Sequence, residues 1–136
     1  MANSKSIAAG GNAESDAMSM PSNTVDAELV VKADNDGTPA SGDELTVRLL
    51  GTTGDTDADP DSTDEYTSSG HANPVAILDT NVEDPAISNP IPVPPSLKGY
   101  KVRGENGSGG RAITASAQLR VTKDDGTTSI QQVTWT

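Results

Sequence analysis

From Ile113 to Val121 every second residue is apolar: Ile113, Ala115, Ala117, Leu119 and Val121 alternate with Thr114, Ser116, Gln118 and Arg120. Successive side chains of a strand point to opposite faces, so this run predicts a strand with one buried and one solvated face. The same alternation recurs at Ala27, Leu29, Val31 and Ala33, at Leu45, Val47 and Leu49, and at Tyr100 and Val102. Every candidate helical window is broken by Gly, Pro or clusters of Ser, Thr, Asn and Asp. The pattern predicts an all-β chain: a single antiparallel β-sandwich, jelly-roll or immunoglobulin-like, of about seven to eight short strands.

Such a sandwich is short of large side chains to fill it. Ile, Val and Leu together number 23 of 136 residues, Phe is absent, and the aromatics are one Trp and two Tyr. A buried aromatic ring supplies ~150–250 Å², so a chain this poor in them relies on small inner faces or on apolar surface lent by a neighbour. The expectation is a thin module completed by adjacent subunits, weakly stable alone or present as a homo-oligomer.

Charge narrows the partners. Twenty acidic against nine basic residues leave a formal net charge of −11, which repels nucleic acid and anionic membrane surfaces and favours cationic partners. Mimicry of DNA is disfavoured because the carboxylates crowd one loop instead of tracking a rigid face. The absence of Cys excludes disulfides and thiolate metal sites. The first ten residues hold no apolar run of signal-peptide length, and no segment approaches the ~18 apolar residues of a membrane span. A product assembled in a cytoplasm is expected.

Residues 1–15, rich in Ser, Ala and Gly, read as an extended N-terminal arm able to lie across a neighbour, and residues 16–136 as the sandwich, interrupted by a long acidic loop at 51–74. Asp34-Asn35-Asp36-Gly37 is a turn signal. Asn89-Pro90-Ile91-Pro92-Val93-Pro94-Pro95 is confined to an edge or a polyproline segment, because proline donates no ladder hydrogen bond. Residues 104–110 read as a flexible hairpin tip.

Four groups of residues invite a chemical reading. Asp55, Asp57, Asp59 and Asp61 alternate along the acidic loop, and such hard oxygen ligands suit calcium. Counted from Asp55, however, Pro60 stands where an EF-hand needs Gly and Tyr66 where it needs Glu. A solvated loop outweighs a weak calcium site, and no cofactor is expected. The one histidine, His71, has no nucleophile elbow or orienting carboxylate beside it, and no preorganised catalytic constellation is legible, so an enzyme is not expected. Ile7 and the surrounding arm are candidates for docking. Ile130, Val133 and Trp135 are candidates for oligomer contact, with Trp135 either closing the sandwich or plugging an adjacent subunit.

The stretches Ala2-Asn3-Ser4-Lys5-Ser6-Ile7 and Ser22-Asn23-Thr24-Val25-Asp26-Ala27-Glu28-Leu29-Val30-Val31-Lys32-Ala33-Asp34, together with Lys98-Gly99-Tyr100-Lys101-Val102 and Arg111-Ala112-Ile113-Thr114-Ala115-Ser116-Ala117, resemble small β-rich virion proteins of tailed bacteriophages. The segment after Val121 departs from that likeness as an additional extension. The resemblance implies a non-enzymatic structural protein on the capsid surface, of the decoration or cement type, bound at junctions between subunits of the major capsid protein. The alternatives are a head–tail or tail-associated adaptor and a cation-dependent carbohydrate-binding module used in host attachment.

Overall fold

The alternating run at 113–121 lies in the longest ladder among the described residues. In the computed structural model, which describes residues 2–52 and 74–136, β10 (Ile113–Lys123) pairs antiparallel along its length with β4 (Thr24–Asn35). Its register sets Ala115 opposite Ala33, Ala117 opposite Val31, Leu119 opposite Leu29 and Val121 opposite Ala27. All eight side chains are buried on one face, while the intervening Thr114, Ser116, Gln118 and Arg120 stand on the other.

Nine further strands complete two sheets among the described residues: β1 (Lys5–Ile7), β2 (Asn12–Glu14), β3 (Met18–Ser19), β5 (Glu44–Thr52), β6 (Pro74–Asp79), β7 (Ala86–Ile87), β8 (Ile91–Pro92), β9 (Gly99–Asn106) and β11 (Thr128–Gln132). The first sheet runs β1-β10-β4-β7, with β11 also on β10 and β8 also on β4. The second runs β2-β9-β5-β6, with β3 also on β9. All pairings among the described residues are antiparallel, none of these residues is helical, and the two sheets stack as an open sandwich around one shared core. The expected fold class holds, but eleven strands replace the seven or eight anticipated. The excess has one cause: a free edge of β10, of β4 and of β9 is each completed by two short strands in tandem instead of one long one.

Residues 5–7 and 12–14 are part of this tiling, which corrects the expectation of an arm lying on a neighbour. β1 pairs with β10 in the first sheet, the chain turns at Gly10 (φ 71°), and β2 pairs with β9 in the second. The N-terminal segment thus stitches the two sheets together. The C-terminal segment reinforces it: Ala2 and Trp135 exchange backbone hydrogen bonds of 2.8 and 2.7 Å, and the Lys5 ammonium donates to the Thr136 carbonyl at 2.8 Å.

The shortage of large side chains is met by close approach. Gly104 on β9 faces Ile7 and Leu45, and a methyl group there would come within 2.9 Å of Ile7 Cδ1. The bare backbone of one sheet therefore receives the Ile7 side chain of the other. Trp135 and Tyr100, the two largest buried side chains, fill the interior from the C-terminal segment and from β9. The Tyr100 hydroxyl donates to Gln131 Oε1 at 2.6 Å, and burial pushes its pKa well above the usual phenol value. Trp135 Nε1 is buried with no acceptor among the described residues.

One end of the sandwich is closed by a polar clasp. Asp43 is fully buried, and the Arg111 guanidinium donates to both of its carboxylate oxygens, Nη2 to Oδ1 at 2.9 Å and Nε to Oδ2. Asn35 Nδ2 donates to Asp43 Oδ2 and to Thr80 Oγ1, both at 3.0 Å. Hydrogen bonding from Arg111, above all, holds the Asp43 carboxyl well below the usual carboxylate range despite its burial. Beside the clasp, Asn106 Nδ2 donates to the carbonyls of Ile7 and Arg111, and its Oδ1 accepts from the Ser108 amide at 2.7 Å. Residues 104–110 are accordingly no hairpin tip: 104–106 belong to β9, and the remainder crosses between the sheets under these bonds.

Candidate interaction surface

Three of the four residues expected to meet a partner lie in the chain's own core. Ile7, Val133 and Trp135 are 2%, 0% and 1% exposed, because β1 and the residues after β11 are built into the sandwich edge. Trp135 closes the fold in which it stands. Only Ile130, on β11, remains at the surface, 56% exposed. Asp55, Asp57, Asp59 and Asp61, with His71 and most of the expected acidic loop, lie outside the described residues. Of the expected loop 51–74, Gly51 and Thr52 end β5 and Pro74 opens β6.

The surface is uneven from flank to flank. Where the terminal segments meet, sheet edges are short and polar: β2 reads Asn12-Ala13-Glu14, and Glu14 accepts from Arg103 Nη1 at 3.0 Å. Arg103 also pairs with Glu105 at 3.1 Å and Arg48 with Glu105 at 2.9 Å, so the outer face of the second sheet is a ladder of matched charges. Burial raises Glu105 and the two guanidiniums outweigh it, leaving its carboxyl below the ordinary value.

The opposite flank is different in kind. Here β6, the edge of the second sheet, faces β7 and β8, the edge of the first, across a groove of about 400 Å³. Leu78 turns inward and is buried, so the period of two carries Val75 and Ile77 outward, 37% and 58% exposed. Ile87 on β7, 57% exposed, lines the other wall with Pro90 and Pro92. Half of the six exposed large aliphatics among the described residues therefore line one groove, although scattered single ones would be ordinary.

Local chemistry explains why this groove stays open. Pro90 and Pro92 deny β8 a continuous ladder, so it pairs with β4 over Glu28 and Leu29 alone. Between β7 and β8, Ser88 substitutes for the missing ladder: its amide donates to the Val31 carbonyl and its Oγ accepts from the Val31 amide, each at 2.9 Å. The far end is anchored to the clasp. Thr80 donates both its amide and its hydroxyl to the Asp43 carbonyl at 2.9 Å, and Asp84 Oδ1 accepts from the Asn35 amide at 2.9 Å.

A second concavity of about 420 Å³ crosses the outer face of the first sheet, where β1 and β11 leave a gap along β10. Its lining is mostly polar, with Asn3, Ser4, Lys32, Ser116, Gln118 and Gln132 around Val30, Ala117 and Ile87, the last shared with the groove, and among these residues there is no carboxylate or aromatic ring. Among the described residues no group of three or more His, Asp or Glu could hold a metal ion. Val75 and Ile77 stand two residues apart in the sequence, which places them on one face of a strand, and only the fold decides that this face is the outer one. The chain matches no protein-family model and no curated protein sequence.

Proposed function

We propose that this chain is a non-enzymatic structural protein that docks onto a larger protein assembly, and that the assembly is the capsid of a tailed bacteriophage, with the chain acting as a decoration or cement protein on the major capsid protein. The observation that carries the docking role is the aliphatic groove between β6 and β7–β8, set on a sandwich whose remaining described edges are charged, polar or proline-broken. The capsid is the part drawn from sequence resemblance. A ligand that binds the assembled shell and not its dissociated subunits stabilises the shell by mass action. Carbohydrate binding is less favoured, because Tyr100 and Trp135, the described aromatic rings, are both buried and offer no stacking platform.

Shells assembled from the cognate major capsid protein, incubated with the purified chain and imaged, test this reading. Density repeated at equivalent positions over the whole lattice, together with increased resistance of the shells to heat, is the expected result. Density confined to one vertex would assign the chain to the tail instead, and no association would overturn the reading.

A further inference from the structure

We infer that β6 takes up an extended aliphatic strand with basic residues at its N-terminal end, contributed by another protein, by addition at the edge that no other described strand occupies. This rests on the groove being the docking face and specifies how and with what it docks.

Among the described strands β6 pairs only with β5. An edge strand leaves the N–H and C=O of every second residue directed away from its partner, and proteins normally blunt such edges with charges, prolines or bulges. β6 has that protection only at its two ends, with Pro74 and the irregularity between Val47 and Arg48 at its start and Asp79 at its close. From Val75 to Leu78 the edge carries no charge and no proline. An added strand would gain main-chain hydrogen bonds there, and its alternate side chains would meet Val75, Ile77 and, across the groove, Ile87.

Charge selects the occupant. The end of β6 is acidic, with Asp79 on the strand and Glu83 and Asp84 in the turn that follows, all within a chain of net charge −11. A strand running antiparallel to β6 places its N-terminal end beside these carboxylates, so basic residues there are complementary. A second copy is a poor fit. Antiparallel pairing of two β6 strands would set each acidic end beside the other's Pro74, and the nearest cation there, Arg48, is already paired with Glu105.

The test titrates the full chain with a short synthetic peptide of alternating Val and Thr between Lys pairs, following amide shifts and hydrogen exchange. A peptide with Glu in place of Lys, and one with a central proline, serve as comparisons. The Lys-flanked peptide is expected to protect amides within 74–79 and to bind at least about tenfold more tightly than either comparison. Ile77→Lys is expected to weaken binding by at least about tenfold, and Ile130→Lys, at the far edge of the other sheet, to leave it unchanged. Both positions are exposed, so unchanged thermal midpoints establish that the variants fold. No binding at millimolar peptide, equal binding of the Glu-flanked peptide, or indifference to Ile77→Lys would overturn the inference. So would a dimer of the free chain that Ile77→Lys dissociates, since the occupant would then be a second copy. Shell association that survives Ile77→Lys would sink strand addition and leave the docking role standing. Peptide binding without shell association would do the reverse.

Discussion

Gly104 shows how single residues compensate for the scarcity of large side chains. It stands where a Cβ would meet Ile7 Cδ1 at 2.9 Å and Leu45 Cδ1 at 3.2 Å, inside a core where both partners are already buried. Gly104→Ala is therefore expected to destabilise the chain by about 1–3 kcal/mol in urea unfolding, because overpacking forces off-rotamer side chains or a shift between sheets. An unchanged midpoint would mean that the sheets are not held this close. Asp43 sets the response to acid. Its folded pKa is depressed, so its contribution is fully present above the ordinary carboxylate value and is lost as pH falls toward the lowered one. Stability should decline progressively below about pH 4, and Asp43→Asn should be less stable at neutral pH with a flatter decline; urea midpoints across that range check both. The clasp was invisible beforehand. Asn35 and Asp43 are ordinary turn residues in sequence, and only the fold brings Arg111 to Asp43 from 68 residues away.

Among the elements, legibility followed strand length. β4, β5, β9 and β10 run eight to twelve residues, long enough for the period of two to declare both the strand and its inner face. β1, β2, β7 and β8 span only two or three residues, too few to carry a period, and their pairing is decided by the long strands they complete. That is why the first fifteen residues read as an arm when they tie one sheet to the other. The distinction is testable: deleting residues 2–15 would leave a detachable arm's fold intact, whereas here it removes Ile7 from the core and two strands from the sandwich. Loss of Ile7 alone is worth about 2–5 kcal/mol, a large share of the ~5–15 kcal/mol that holds a typical domain together. Loss of the cooperative thermal transition is expected, and a deletion variant that melts like the full chain would contradict the assignment.

For the molecule as a whole, the composition suggested sheets that need a companion to be filled. The structure places that filling inside one chain, with Trp135, Tyr100 and a set of small residues closing a single core. Residues on hand could be counted from the sequence; the distance between sheets could not, and it is that distance which makes Ala and Gly sufficient. The free chain is accordingly expected to sediment as a folded monomer, helped by the mutual repulsion of copies with net charge −11. What the described residues leave unpaired is narrower: the edge of β6 and the aliphatic groove beside it. Amide hydrogen exchange on the chain alone and on the chain bound to capsid shells addresses that point most directly. Amides within 74–79 should exchange quickly in the free protein and become protected on the shell, while β4 and β10 stay slow throughout; protection that appears elsewhere and leaves β6 unchanged would contradict the account.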